Sequence, residues 1–180
     1  MKYLKLLIFV LIGSFSQAQQ EKNILHNIIE AVSENRLNED IKTLANFGTR
    51  HTLSDTLSTT RGIGAARRWI KTEFETISKK CNNCLEIFYQ KTLVKSGENN
   101  RITKDVWVVN VVAIQRGTKH PNRYIIMSGD IDSRVSYPNN SISDSPGAND
   151  NASGMAGTIE SARILSNYSF GSSILYVGLS

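Results

Sequence analysis

From residue 123 the chain runs through an apolar stretch, RYIIMSG, a turn-rich loop, a segment with helical periodicity, and a second apolar stretch, SSILYVGLS. Short β-branched runs separated by an amphipathic helix restrict such a chain to layered α/β architectures. Two more β-branched and aromatic runs precede it. LEIFYQKTLV and VWVVNVVAIQRG flank the turn-rich KSGENNRITK and read as a strand pair. Helices come earlier still. Ile24, Leu25, Ile28, Ile29 and Val32 recur at helical spacing, as do Leu37, Ile41, Leu44 and Phe47, with Gly48 as a stop. Ile63, Ala66, Ile70, Phe74 and Ile77 line one face of a longer helix, and Met155, Ile159, Ala162 and Leu165 mark the last. The expectation is an α/β sandwich with a mixed sheet. At 180 residues and 40% hydrophobic content the chain can bury one core, and no linker divides it.

The first residues read as an address. Lys2 and Lys5 precede the apolar run Leu6 to Ile12, and Ser16-Gln17-Ala18 supplies small residues for cleavage. The run is too short to span a bilayer, so residues 1–18 are expected to be a signal peptide, 19–180 the exported domain, and the product periplasmic or secreted without a membrane span. Removing the signal takes away two lysines and no acid, lowering the formal charge from +5 to +3. That weakens any case for nucleic acid as a partner. Arg67, Arg68 and Lys71 cluster near Glu73 and Glu75 without an aromatic platform, which reads as a solvated helix face. Cys81 and Cys84 in KKCNNCLE cannot complete a zinc site alone. In an exported chain they are disulfide candidates; a redox motif would normally open a helix after a strand.

The chemistry concentrates in SGDIDSRVSYPNNSISDSPGANDNASG, where Asp130, Asp132, Asp144 and Asp150 are crowded among turn residues. Asp130 and Asp132, at period two on a strand end, point to one side and repel unless a proton or cation intervenes. Ligands of open α/β sheets collect at such strand ends. The alternative is a loop of ordinary acids, with Asp150 or Ser153 capping the helix and Asp144 opening the turn into Pro146. No histidine sharpens the metal case: His26, His51 and His120 read as surface or core residues.

The strings S-G-D-I-D-S-R and P-G-A-N-D-N-A-S-G resemble the secreted di-zinc aminopeptidases, metallopeptidase family 28, which carry G-H-x-D-S and P-G-A-x-D-x-A-S-G. FGTRH, the GIGAARRWI helix and the NVVA strand fall where that family's counterparts fall, so the resemblance covers about residues 40 to 180. It implies a three-layer zinc-exopeptidase sandwich, with two zinc ions bridged by Asp150. Asp130 stands in the place of a histidine ligand, and Asp132 in that of the acid orienting it. The substrates implied are peptides with a free N-terminus, cut by metal-activated water.

Two departures accompany the resemblance. Asp130 replaces histidine, which leaves Asp132 no imidazole to orient and favours a harder metal, a weaker site or a shared proton. The family's strand matching SSILYVGLS continues into Gly-Glu-Glu, which carries the general base, whereas this sequence ends at Ser180. The expectation is the N-terminal part of an aminopeptidase, inactive by itself. Two other readings stay open on the same fold: a non-catalytic binding domain, and a relative of glutaminyl cyclase or of the carboxypeptidases.

Overall fold

A computed structural model describes residues 23–180. The signal peptide expected over residues 1–18 lies outside the described residues. Residues 23–30 are helical, as their spacing predicts, and belong to a unit ending at Val32 that is separate from the unit Ser33–Ser180. No described helix is long and apolar enough to cross a membrane.

The larger unit opens with α1, Glu34–Asn46. Ser33 caps it, its hydroxyl accepting from the Arg36 amide at 3.3 Å, and Glu34 places a negative charge in the first turn where the helix dipole favours one. Helix α2, Gly62–Lys80, has no side-chain cap of its own; a preceding loop serves instead. The Ser54 hydroxyl accepts from the Ile63 amide at 2.9 Å, and the Asp55 carbonyl accepts from that of Gly64. All five apolar residues of its expected face are buried. Beyond Lys80, Cys81 and Cys84 are joined by a disulfide that turns the chain into β1, Leu85–Val94.

Strand β1 pairs antiparallel with β2, Val106–Gln115, through the connection rich in turn residues. Strand β3, His120–Asp130, runs out to the acidic loop. After the loop come α3, Ser153–Leu165, and β4, Ser172–Leu179. Strand β4 lies parallel to β3 and antiparallel to β2, giving the order β1-β2-β4-β3. The mixed sheet flanked by helices is therefore present. Helices α1, α2 and α3 share one core with one face of that sheet, where Leu44, Ile63, Phe74, Met155 and Ile159 meet Val111, Ala113, Ile174 and Tyr176. Val112, Ile114 and Val177 form a smaller apolar cluster on the opposite face.

Strand β3 is an edge of the described sheet and presents Tyr124, Ile125 and Ile126, the last 64% exposed. An apolar edge with unpaired backbone groups is a template for association. Ile126→Lys should therefore lower concentration-dependent light scattering of the 180-residue chain while leaving its circular dichroism unchanged. Equal scattering by the two proteins would exclude this edge as the cause.

Candidate active site

The chain leaves β3 at Asp130, where the side chains divide. Ile131 is drawn fully into the core, its amide donating to the Leu179 carbonyl at 2.6 Å. Its neighbours take other environments: Asp130 is exposed and Asp132 half-buried. Burial raises the pKa of the Asp132 carboxyl above its usual value, and the negative charge of Asp130 adds to the effect.

Two close approaches bring the second acidic segment to this strand end. A Cβ on Gly129 would lie 2.4 Å from the Met155 amide nitrogen, so a glycine is required for α3 to begin against β3. Gly147 has φ of +50°, and a Cβ there would lie 2.5 Å from the Asp150 carbonyl oxygen and 2.6 Å from Ser133 Cβ. The irregular turn Ala148–Ala152 follows, with Asp150 exposed on it and a cis peptide bond between Asp150 and Asn151.

The capping alternative is not what the structure forms. Helix α3 starts without a side-chain cap, and the Ser153 hydroxyl donates backward to the Asn149 carbonyl at 2.9 Å. Asp144 pairs with Arg61 at 2.6 Å instead of opening a turn alone. The Asp150 carboxylate takes no hydrogen bond among the described residues. Beside it, Asn151 Oδ1 is buried without a partner.

Arg50 organises the whole loop, and sequence reasoning passed over it. It is fully buried, yet no carboxylate among the described residues pairs with it. Its Nε donates to the Ile131 carbonyl at 2.7 Å, Nη1 to those of Leu44 and Pro146 at 2.8 and 2.6 Å, and Nη2 to that of Gly147 at 3.1 Å. Its amide donates to Ser133 Oγ, whose own proton goes to the Ser145 carbonyl. One side chain thus ties the end of α1 to both ends of the acidic loop. Burial pushes its guanidinium down to about 10, with the Asp132 charge opposing. The only sequence signal was its place in FGTRH, since a lone arginine carries no periodicity.

The adjacent His51 is a core histidine. Its Nδ1 accepts from the Leu53 amide at 3.0 Å and its Nε2 lies 2.8 Å from the Pro138 carbonyl, so both ring nitrogens are engaged. His120 is exposed at the far end of β3. Among the described residues, no three His, Cys, Asp or Glu side chains gather closely enough to hold a metal ion. Zinc takes three or four protein ligands. The described donors at this loop, all oxygen, therefore do not by themselves fit a zinc site.

Residues 110–176, from the middle of β2 to near the end of β4, match the sequence model of peptidase family M28. The chain is 36% identical over 157 residues to a probable zinc metalloprotease of Pyrenophora teres f. teres, covering 87% of this chain and 34% of that protein. A second probable zinc metalloprotease of the same fungus is 40% identical over 151 residues, covering 84% and 31%. The chain spans about a third of the length of the curated relatives it matches. In fold it is similar to Fimbriiglobus ruber glutaminyl cyclase, with a TM-score of 0.60 at 17% identity over 81% of this chain and 44% of that one. A Zn-dependent exopeptidase from Parabacteroides distasonis aligns with a TM-score of 0.55 at 14% identity over 80% and 46%. The fold, the acidic loop carried on β3 and α3, and these sequence matches together say that the chain belongs to peptidase family M28.

Proposed function

We propose that this chain is part of an exported zinc exopeptidase of the aminopeptidase type, removing N-terminal residues from peptides. The observation that carries the reading is the acidic loop at the end of β3, in a chain 36% identical to a probable zinc metalloprotease. Asp150 is proposed as the carboxylate shared between two metal ions, Asp130 as a further ligand, and Asp132 as the acid standing in the place of the family's orienting residue. The described residues do not complete the site, so the 180-residue chain should not hydrolyse aminoacyl anilides. A protein of the relatives' length that carries this segment should do so, with activity removed by a chelator and restored by zinc. Asp150→Asn should abolish both that activity and calorimetric zinc binding. Hydrolysis persisting in Asp150→Asn, or cyclisation of N-terminal glutamine as the sole activity, would overturn the reading.

Export is supported by the Lys2 to Ala18 pattern and by the Cys81–Cys84 disulfide, a bond at home in oxidising compartments. Mass spectrometry of protein recovered outside the cytoplasm should show an N-terminus at Gln19. Retention of Met1 on a cytoplasmic species would contradict it.

A further inference from the structure

A cleft of about 700 Å³ lies between the first half of α2, the loop before it and the outer end of the β1–β2 hairpin. Arg67, Arg68, Lys91 and Lys104 line it, against a single acid, Asp105. That acid is already engaged, its Oδ2 lying 2.8 Å from Lys95 Nζ. Arg68 donates to the carbonyls of Thr56, Leu57 and Ser58, and Lys91 sits 5.8 Å from the ring centre of Tyr89. None of the four lining cations pairs with a carboxylate among the described residues.

Arg67 is the telling member. It is only 5% exposed, which corrects the solvated face expected for it. Its Nε donates to Ser180 Oγ at 3.3 Å, and its Nη2 is buried without a hydrogen-bond partner. Burial pushes the guanidinium down to about 10, with Tyr89 and the charge of Asp132 opposing. Charged side chains this deep are normally matched by an opposite charge, because desolvation of an unpaired ion is expensive. A cleft of this size, lined by four cations with no carboxylate in pairing distance among the described residues, is fitted to a small anion-bearing ligand.

One cleft residue, Arg67, reaches the end of the sheet that carries the acidic loop, through its bond to Ser180. Ser180 follows Leu179, which is the ladder partner of Asp130. A peptide lying across the strand ends would therefore reach both places. We propose that the cleft is a subsite for a carboxylate of the bound peptide, either an acidic side chain or the free C-terminus of a short chain. The peptidase reading supplies the identity of this ligand, and the proposal rests on it.

The test is calorimetric titration of the metal-free chain with three peptides: acetyl-Ala-Glu-amide, acetyl-Ala-Ala with a free C-terminus, and the neutral acetyl-Ala-Gln-amide. At least one carboxylate peptide should bind about tenfold or more tightly than the neutral one, as charge-assisted hydrogen bonds provide, and the better of the two identifies the source. Lys91→Gln with Lys104→Gln, both at exposed positions, should remove that preference. Equal binding of all three peptides, or a preference untouched by the double substitution, would overturn the proposal. Because no turnover is read, failure here leaves the peptidase reading intact. Equally, absence of zinc-dependent hydrolysis would leave a positive binding result standing.

Discussion

Replacing Arg50 with methionine should remove much of the domain's stability at 25 °C. The four carbonyls it serves, on Leu44, Ile131, Pro146 and Gly147, would lose their donors, and those of Leu44 and Ile131 are enclosed in the core. Leaving a buried acceptor without its donor typically costs about 1–3 kcal/mol, so losing several should remove much of the roughly 5–15 kcal/mol by which a domain is stable. Lysine should rescue only in part, since one ammonium cannot reproduce the planar fork that reaches four acceptors. Urea denaturation followed by circular dichroism would show it. Arg50→Met within about 1 kcal/mol of the parent would mean that the loop closes without this residue.

The second large effect has the opposite sign. Asp40, on α1, is only 7% exposed, its Oδ2 has no hydrogen-bond partner among the described residues, and its pKa is raised to about 6. Burial is the main cause; Glu73, Glu160 and Glu39 add to it, while Arg36 opposes. The folded state thus binds the proton more tightly than the unfolded chain, whose pKa is near 3.8. Its stabilising contribution is complete below about pH 4 and is lost as pH rises through about 6. Above that range an ionised Asp40 costs about 3 kcal/mol at most, since each tenfold gain in proton affinity on folding corresponds to about 1.4 kcal/mol. Asp40→Asn should therefore be the more stable protein by about 2–3 kcal/mol at pH 7 and nearly equal to the parent at pH 4. Denaturation midpoints measured between pH 4 and 7 would reveal this convergence. Parallel midpoints for the two proteins at every pH would show that Asp40 does not titrate in this range.

Neither effect could be reached from periodicity. The spacing of Ile63, Ala66, Ile70, Phe74 and Ile77 reports which side of a helix meets a core, because burial of one face repeats every 3.6 residues. Alternation and β-branching report strands in the same way, and all four strands form where those runs lie. A single polar residue buried once has no period. Asp40 reads as one more acid on a charged helix, and Arg67 as one more cation on another.

The acidic loop shows the same division. Asp130, Asp132 and Asp150 were legible because a strand end, a turn-rich stretch and the P-G-A-N-D-N-A-S-G string frame them. What holds the loop in place comes from elsewhere in the chain: Arg50 bonds to residues 81, 96 and 97 positions away. By itself the sequence determined the elements, their order and the position of the acids, since each depends on neighbours a few residues apart. Only the tertiary structure decided the strand order β1-β2-β4-β3, the engagement of His51 and the burial of Arg50, Arg67 and Asp40. Those depend on which distant segments meet, and on whether a charge, once enclosed, finds a partner to replace the water it lost.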